Sequence, residues 1–284
     1  MSDNWTVRKA TAWTTDYLKS KGVDSPRTDA DMLLADALGV DRVRLIIDSD
    51  KPLTKDELAS YRKRIERRAN GEPLAYILGR REFYGREFLV DPRVLIPRPE
   101  TEGLVEIGLR DLPAEGDVRV LDLCAGSGCV GITIALERPG ARVDLVEIDP
   151  GAAEVAKSNV EKHGVGDRVR VLVGDLFAPV ANEPPYDGIV GNPPYVPAGD
   201  IPTLSREVRH EPKLALDGGP DGLDLVRRIA REAGRHLVSG GGLALELTIE
   251  QPPVAAEMFR AAGFAEARAE QDFTHRDRYV VARR

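Results

Sequence analysis

The chain has 284 residues, of which 42% are hydrophobic and 31% are charged, and its formal net charge is −7. This composition is typical of a globular protein with one domain of ordinary size and a smaller one, and it excludes a wholly disordered chain. The negative charge argues against binding to nucleic acid without regard to sequence, and no apolar run is long enough to cross a membrane. The N-terminal residues do not have the positively charged region followed by an apolar stretch that a secretory signal peptide has. We therefore expect no secretory signal and a cytoplasmic protein.

Residues 1–80 are predicted to form a small helical domain, because apolar residues recur there at helical spacing and no strand pattern interrupts them. One helix is predicted over residues 28–38 and ends at Gly39. Thr54 and Glu57 form a capping-box pattern at the start of the next helix. That helix carries a basic run, which we interpret as its solvated face: Arg62, Lys63, Arg64, Arg67 and Arg68.

A short β-hairpin is predicted over residues 82–97, where apolar and β-branched residues become dense and Gly85 supplies a turn. We expect it to form a linker, residues 81–102, before a larger domain of residues 103–284. From Val118 onwards apolar runs alternate with helical segments, which predicts an α/β domain with a parallel sheet covered on both faces. The predicted strands are VRVLDLC, ARVDLVEI, RVRVLVGD, YDGIVGN and GLALELT, followed by a closing pair, AEARAEQD and RYVVARR.

A glycine-rich turn follows the first strand of the larger domain and precedes a helix. Its residues are Asp122, Leu123, Cys124, Ala125, Gly126, Ser127 and Gly128. In such a turn the backbone of the glycines, which have no side chains, lies near the positive N-terminal end of a helix, so a cofactor can bind against it. Many turns of this kind, however, need glycine for geometry alone. With Gly131 the turn also matches the Gly-x-Gly-x-x-Gly pattern of nicotinamide cofactor sites, so the turn by itself leaves the cofactor open.

A carboxylate ends the second strand at Glu147, where it can accept hydrogen bonds from the hydroxyls of a ribose. Asp149 is the alternative partner for a ribose. Because Pro150 follows Asp149, the pattern favours Asp149 as the cap of the next helix and Glu147 as the ligand.

The third strand ends in Asp175, which is followed by Leu176 and Phe177. This acid can accept the amino group of an adenine, and the apolar side chains can enclose the ring. A helix cap followed by two core residues is an equally good interpretation, and the sequence leaves both open.

The most specific motif of the chain is Asn192-Pro193-Pro194-Tyr195, into which the fourth strand runs. Two prolines lack N–H donors and fix φ, so the chain must leave the sheet here as a rigid loop. In open α/β sheets, ligands bind at this carboxyl end of the strands. We therefore expect Asn192 and Tyr195 to lie together above the cofactor.

These residue types suit methyl transfer to an amide nitrogen, whose lone pair is delocalised into its carbonyl group. The side-chain oxygen of Asn192 and the backbone carbonyl of Pro193 can each accept one N–H, and Tyr195 can pack on the flat amide. Such positioning needs no strong base before transfer, and effective molarities of about 10⁵–10⁸ M are available to it.

Four further segments give the chain a resemblance to a known family. They are GEPLAYILG (71–79), F-x-G-x-x-F-x-V (83–90), VLIPRPETE (94–102) and HEPKLALDGGPDGLDLVRRI (210–229). With the glycine-rich turn, Glu147 and the Asn-Pro-Pro-Tyr loop, they resemble the HemK/PrmC family of release factor glutamine methyltransferases. The resemblance covers nearly the whole chain from Arg27 onwards.

The resemblance implies a Rossmann-like class I methyltransferase domain with a mostly parallel seven-stranded sheet, preceded by a hairpin linker and a small helical domain that recognises the substrate. It implies S-adenosylmethionine as cofactor, with S-adenosylhomocysteine as product. The implied substrate is the glutamine of the Gly-Gly-Gln motif in peptide chain release factors 1 and 2. We then expect no membrane association, no direct nucleic-acid substrate and no metal site.

Residue by residue, the resemblance assigns a site for each of the two reactants. It places the cofactor against Cys124, Ala125, Gly126, Ser127, Gly128, Glu147, Asp175, Leu176 and Asn192. It places the target glutamine at Asn192, Pro193, Pro194 and Tyr195, of which Asn192, Pro193 and Tyr195 form the catalytic group.

Three alternative functions stay open. An N6-adenine DNA methyltransferase uses a related loop on a flipped-out base, but it needs a basic cleft. Residues 1–85 carry a net charge of +2 and the remainder −9, which argues against such a cleft. A glutamine methyltransferase that acts on a ribosomal protein shares the chemistry and differs in the partner. A binding module without activity leaves the rigid loop unexplained.

Overall fold

The computed structural model of the chain describes residues 5–113 and 116–284. Residues 1–4 of the predicted helical domain and residues 114–115 of the predicted larger domain lie outside the described residues. The chain separates into two compact units. The first is Met1–Gly79 with Ser205–His210, and the second is Arg80–Leu204 with Glu211–Arg284. Within the described ranges, no helix combines the length and the apolar character needed to span a bilayer.

The first unit consists of helices packed around one apolar core that includes Leu33, Leu34 and Tyr61. Its helices are α1 (Val7–Ser20), α2 (Pro26–Leu38), α3 (Arg42–Ile47), α4 (Lys55–Ala69) and α5 (Leu74–Leu78). The predicted end of α2 is confirmed, because Gly39 follows it in the left-handed conformation with a φ of 64°. A helical first unit is therefore what the spacing of apolar residues produces.

The capping box at the start of α4 is also confirmed. The Thr54 hydroxyl accepts the N–H of Glu57 at 3.2 Å, and the Glu57 carboxylate accepts the N–H of Thr54 at 2.7 Å. Two backbone donors that the helix itself cannot satisfy are thus paired, which stabilises the start of α4.

Replacement of Thr54 by alanine is expected to lower the free energy of unfolding of the first unit by about 1 kcal/mol, because the N–H of Glu57 loses its partner. Thr54→Ser keeps the hydroxyl and serves as the matched control. The two tryptophans of the chain, Trp5 and Trp13, both lie in this unit, so urea unfolding followed by tryptophan fluorescence reports on it. An unchanged midpoint in Thr54→Ala would contradict the prediction.

The basic run on α4 contains one residue that is not solvated. Arg68 is 4% exposed, and its guanidinium forms an ion pair with Asp29 of α2 at 2.5 Å. It also pairs with Glu207, in the segment Ser205–His210 that belongs to this unit. The prediction of a wholly solvated basic face was therefore wrong at Arg68, because acidic partners compensate the desolvation of its guanidinium.

The second unit begins with the antiparallel hairpin β1 (Arg80–Phe83) and β2 (Arg86–Leu89). A buried asparagine of a later helix, Asn159, holds this hairpin. Its side-chain amide accepts the N–H of Leu89 at 2.7 Å and donates to the carbonyl of Leu89 at 3.0 Å. The hairpin therefore packs as part of the second unit.

The main element of the second unit is a seven-stranded sheet with the order β5-β4-β3-β6-β7-β9-β8. The first five strands in this order are parallel, and β9 runs antiparallel to both β7 and β8. The strands are β3 (Val118–Leu123), β4 (Ala141–Glu147), β5 (Val169–Val173), β6 (Tyr186–Gly191), β7 (Leu237–Glu246), β8 (Glu266–Gln271) and β9 (Asp277–Arg283). The prediction of a mostly parallel seven-stranded sheet is confirmed.

Helices cover both faces of this sheet and form two apolar cores. The helices are α6 (Thr101–Asp111), α7 (Cys129–Glu137), α8 (Pro150–Lys162), α9 (Asp224–His236) and α10 (Gln251–Ala261). The first core contains residues of α6, α7 and α8 together with the hairpin residues Phe83 and Phe88. The second contains residues of α9 and α10. Strands buried on both faces explain the nearly continuous apolar runs in the sequence.

Candidate active site

A cavity of about 430 Å³ opens at the carboxyl ends of the parallel strands of the second unit. This volume lies in the range of about 300–1,000 Å³ that is typical of small-ligand sites. The cavity is lined by the segments that follow β3, β4, β5 and β6. Strand order reverses between β3 and β6, and this topological switch point is where open α/β sheets bind their ligands.

The glycine-rich turn between β3 and α7 forms the floor of the cavity. Cys124, Gly126 and Gly128 all have positive φ, between 54° and 78°, which makes the turn tight. Gly131 lies in the first turn of α7, where an added Cβ would stand 2.3 Å from the Leu145 side chain of β4. The third glycine of the pattern is therefore required for close packing of the helix on the sheet.

Asp122 at the end of β3 stabilises the glycine-rich turn. It is 1% exposed, and its carboxylate accepts the N–H of Gly131 at 2.9 Å. Burial raises the pKa of Asp122 to about 7, and the nearby Glu147 carboxylate adds to the rise. Asp122 thus couples the end of β3 to the first turn of α7.

Glu147, the last residue of β4, also lines the cavity and is 8% exposed. One carboxylate oxygen accepts the N–H of Gly126 at 2.8 Å, and the other accepts the N–H of Asp149 at 2.9 Å. Burial raises the pKa of Glu147. Each carboxylate oxygen has a second lone pair, so Glu147 can hold the turn and still accept a hydrogen bond from a ligand.

Asp149 caps α8, as the sequence predicts. Its carboxylate accepts the N–H of Ala152 at 2.8 Å. It also lines the cavity. Since one of its oxygens is engaged by the helix end, Asp149 is less available to a ligand than Glu147.

The segment after β5 divides between the cavity and the core. Asp175 and Leu176 line the cavity, and the Asp175 carboxylate pairs with Arg228 of α9 at 2.7 Å. Phe177 is 2% exposed and stacks on His236 with 4.6 Å between ring centroids. Of the two interpretations left open by the sequence, the core role therefore holds for Phe177.

The Asn-Pro-Pro-Tyr loop follows β6 at the other side of the cavity. Asn192 and Pro194 line the cavity, whereas Pro193 is buried and Tyr195 packs against the second core. Burial raises the pKa of Tyr195, so its hydroxyl stays protonated at neutral pH. The loop thus presents an amide and a proline ring to the cavity.

A buried glutamine anchors this loop to α10. The Gln251 side chain donates to the carbonyl of Tyr195 at 3.0 Å and to that of Asp221 at 3.2 Å. An added Cβ at Gly222 would stand 2.2 Å from the carbonyl oxygen of Tyr195. Only glycine fits at this position, because a side chain would displace the loop.

Two segments that sequence reasoning did not assign to the site form its outer walls. The lining residues of the first are Arg93, Val94, Leu95, Pro97 and Thr101, and those of the second are Pro212, Leu214, Ala215, Asp217, Gly218 and Gly219. Glu211 is 5% exposed and accepts the N–H of Ile96, which joins the two walls. Apart from Arg93, both segments fall in the motifs VLIPRPETE and HEPKLALDGG, but no spacing rule reveals that they face a cavity.

The charged residues that line the cavity are mostly acidic. Its charged residues are Asp122, Glu147, Asp149, Asp175, Asp217 and Asp224 against Arg93 and Arg228. Both arginines are paired, Arg93 with Asp91 at 2.6 Å and Arg228 with Asp175 at 2.7 Å. Asp217 and Asp224 also have cationic partners, Lys213 and Arg227, so the excess of acidic charge rests mainly on Glu147 and Asp149. This excess suits a cationic ligand better than the pyrophosphate of a nicotinamide dinucleotide.

Two curated relatives align with this chain over almost its full length. The release factor glutamine methyltransferase of Geobacter sulfurreducens is 46% identical over 98% of this chain and 97% of its own. The release factor glutamine methyltransferase of Chlorobaculum tepidum is 40% identical over 96% of each chain. The chain belongs to the release factor glutamine methyltransferase family.

Two family models agree with this membership, and a solved structure shares the fold. Residues 9–79 match the PrmC N-terminal domain, and residues 105–211 match the methyltransferase small domain. A methyltransferase from Pyrococcus furiosus shares the fold, with a TM-score of 0.52 at 19% identity over 78% of this chain and 98% of its own. As a member of the release factor glutamine methyltransferase family, the chain is an enzyme, and the interpretation as a binding module without activity falls away.

Proposed function

We propose that this chain transfers a methyl group from S-adenosylmethionine to the side-chain amide nitrogen of the glutamine in the Gly-Gly-Gln motif of peptide chain release factors 1 and 2. The observation that carries the proposal is the rigid Asn-Pro-Pro-Tyr loop at the edge of an acidic cavity built on the glycine-rich turn. Termination of translation takes place in the cytoplasm, which is where we place the reaction.

The residues of the cavity fit S-adenosylmethionine. Glu147 would accept hydrogen bonds from the ribose, and Asp175 with Leu176 would hold the adenine. The backbone of residues 124–128 would lie against the rest of the molecule: Cys124, Ala125, Gly126, Ser127 and Gly128. When bound, S-adenosylmethionine supplies a methyl group activated by a positively charged sulfonium, and the acidic lining suits that charge.

The loop residues would orient the glutamine. The side-chain oxygen of Asn192 would accept one N–H of the substrate amide. The backbone carbonyl of Pro193, whose side chain does not line the cavity, would accept the other. Neither Pro193 nor Pro194 carries an N–H that competes for these acceptors. Tyr195 holds the loop in place through its packing against the second core and its carbonyl contact with Gln251.

This arrangement works by orientation and by fixed dipoles. The amide nitrogen gains positive charge as the methyl group arrives, so acceptors aimed at its hydrogens stabilise the transition state more than the ground state. The first unit, with its PrmC N-terminal domain, would recognise the release factor outside the Gly-Gly-Gln motif.

Titration calorimetry and an in vitro transfer assay test this proposal. We expect S-adenosylmethionine and S-adenosylhomocysteine to bind, NAD to bind far more weakly, and mass spectrometry to find one methyl group on the Gly-Gly-Gln glutamine of a purified release factor. Binding of NAD in preference to both would end the cofactor assignment. Methylation of a ribosomal-protein glutamine or of duplex DNA, with none on the release factor, would end the substrate assignment.

A further inference from the structure

A buried carboxyl group lies beside the candidate reaction loop and has no role in the function proposed above. Glu246 is the last residue of β7 and is 1% exposed. Because β6 and β7 are parallel and Gly191 pairs with Leu245, the next residues, Asn192 and Glu246, lie side by side at the carboxyl ends of these strands. Among the described residues, Oε2 of Glu246 has no hydrogen-bond partner. Buried polar atoms of this kind call for an explanation, since nearly all are paired in folded proteins.

Thr101, the first residue of α6, lies between this carboxyl group and the loop. It is 2% exposed and lines the cavity. Its hydroxyl is placed to donate a hydrogen bond to the Glu246 carboxyl. The Nδ2 atom of Asn192 lies 3.4 Å from the same hydroxyl oxygen, within hydrogen-bonding range. The three side chains thus form a chain from the buried end of β7 to the cavity.

The hydroxyl of Thr101 has one proton to donate, and this fact sets the direction of the chain. Once that proton is directed at the Glu246 carboxyl, the Thr101 oxygen can only accept from Asn192. An amide presents NH2 on one side and oxygen on the other, and only its NH2 can donate. The NH2 group of Asn192 must then face Thr101, which turns its Oδ1 away from Thr101.

We propose that Thr101 and Glu246 are positioning residues that fix the orientation of the Asn192 side-chain amide, so that its oxygen and not its NH2 group meets the substrate. The inference rests on the proposed function in one respect, namely that this oxygen accepts the N–H of the target glutamine. If the Asn192 amide were rotated by 180°, its NH2 group would face the NH2 group of the substrate, and neither donor would have an acceptor.

Burial raises the pKa of Glu246 to about 7. The ionised carboxylate can only accept, which directs the Thr101 proton towards Glu246, and the neutral acid keeps this arrangement when its carbonyl oxygen is the acceptor. Glu246 can therefore accept from Thr101 in both protonation states.

The first test compares Thr101→Val, which removes the hydroxyl at nearly constant shape, with Thr101→Ser, which retains it. In single-turnover transfer to a release factor at saturating reactants, we expect Thr101→Val to be slower by about tenfold, the size typical of one hydrogen bond to an ionisable group, and Thr101→Ser to stay within about twofold of wild type. Binding of S-adenosylmethionine should change by less than about twofold in both. If Thr101→Val transferred the methyl group as fast as the wild-type enzyme, the inference would be overturned. The proposed function would stand in that case, because the wild-type enzyme would still methylate the release factor.

The Asn192→Asp background separates orientation from a general structural role. A carboxylate presents an oxygen whichever way it turns, so it needs no partner to select its orientation. In that background Thr101→Val should slow transfer by less than about threefold, a non-additivity that a double-mutant cycle measures. Equal losses in both backgrounds would show that Thr101 only supports the fold, and would refute the inference.

A third measurement needs no substrate, so it stands even if the proposed function fails. The chain has five asparagines, so a sample labelled with ¹⁵N-asparagine has few side-chain NH2 signals, and Asn192→Asp identifies the pair from Asn192. We expect that pair to shift and to lose protection from exchange in Thr101→Val and in Glu246→Leu, but to persist in Thr101→Ser and Glu246→Gln. Signals unchanged in Thr101→Val and Glu246→Leu would refute the chain of hydrogen bonds itself.

Discussion

Replacement of Asn192 by alanine is expected to slow methyl transfer about 10²–10³-fold, the loss found when one preorganised hydrogen-bonding group is removed from an active site. Asn192 lines the cavity, and its side-chain NH2 group donates a hydrogen bond to the hydroxyl of Thr101. Its hydrogen bond to the substrate N–H strengthens as the nitrogen becomes pyramidal and gains charge, so the effect should fall on turnover. Binding of S-adenosylmethionine should change by less than about tenfold, because the proposed contact of Asn192 is with the glutamine.

Single-turnover methyl transfer to a release factor measures the first effect, and calorimetry with the cofactor measures the second. Asn192→Asp is the matched control, since its carboxylate still accepts a hydrogen bond and appreciable activity should survive. Full activity in Asn192→Ala would refute catalysis by positioning, whatever the substrate is.

Replacement of Glu147 by alanine is expected to weaken binding of S-adenosylmethionine about tenfold to a hundredfold. Hydrogen bonds to a charged acceptor contribute about 1.5–3 kcal/mol, and the ribose would lose such an acceptor. The same carboxylate accepts the N–H groups of Gly126 and Asp149, so the variant also loosens the turn on which the cofactor would lie. Calorimetry gives the affinity, and circular dichroism checks that the fold is intact.

Asp149→Ala is the control for this second prediction, because Asp149 lines the same cavity and caps α8. We expect it to lower the free energy of unfolding by about 0.5–2 kcal/mol through the lost cap, with a smaller loss of affinity than in Glu147→Ala. If Asp149→Ala weakened binding more than Glu147→Ala, the choice of ribose ligand would be wrong.

Several features of this protein follow from the sequence alone because they depend on neighbouring residues or on the period of the apolar pattern. The capping box of Thr54 and Glu57 and the cap of α8 by Asp149 are formed within one turn of chain. The alternation of apolar runs and helical segments predicts a parallel sheet, and the carboxyl ends of parallel strands share one edge. The glycine-rich turn, Glu147 and Asn192 therefore had to meet at that edge, and all three line the cavity.

Other features were decided only by the tertiary structure. Arg68 is buried because Asp29 of another helix lies beside it, and nothing in the basic run of α4 signals that partner. Phe177 belongs to the core because α9 brings His236 against it. Glu246 stands next to Asn192 because β6 and β7 became neighbours, although the two residues are far apart in the chain. Caps and turns arise from contacts over a few residues, whereas burial and pairing depend on which helices and strands pack together, and no local pattern encodes that choice.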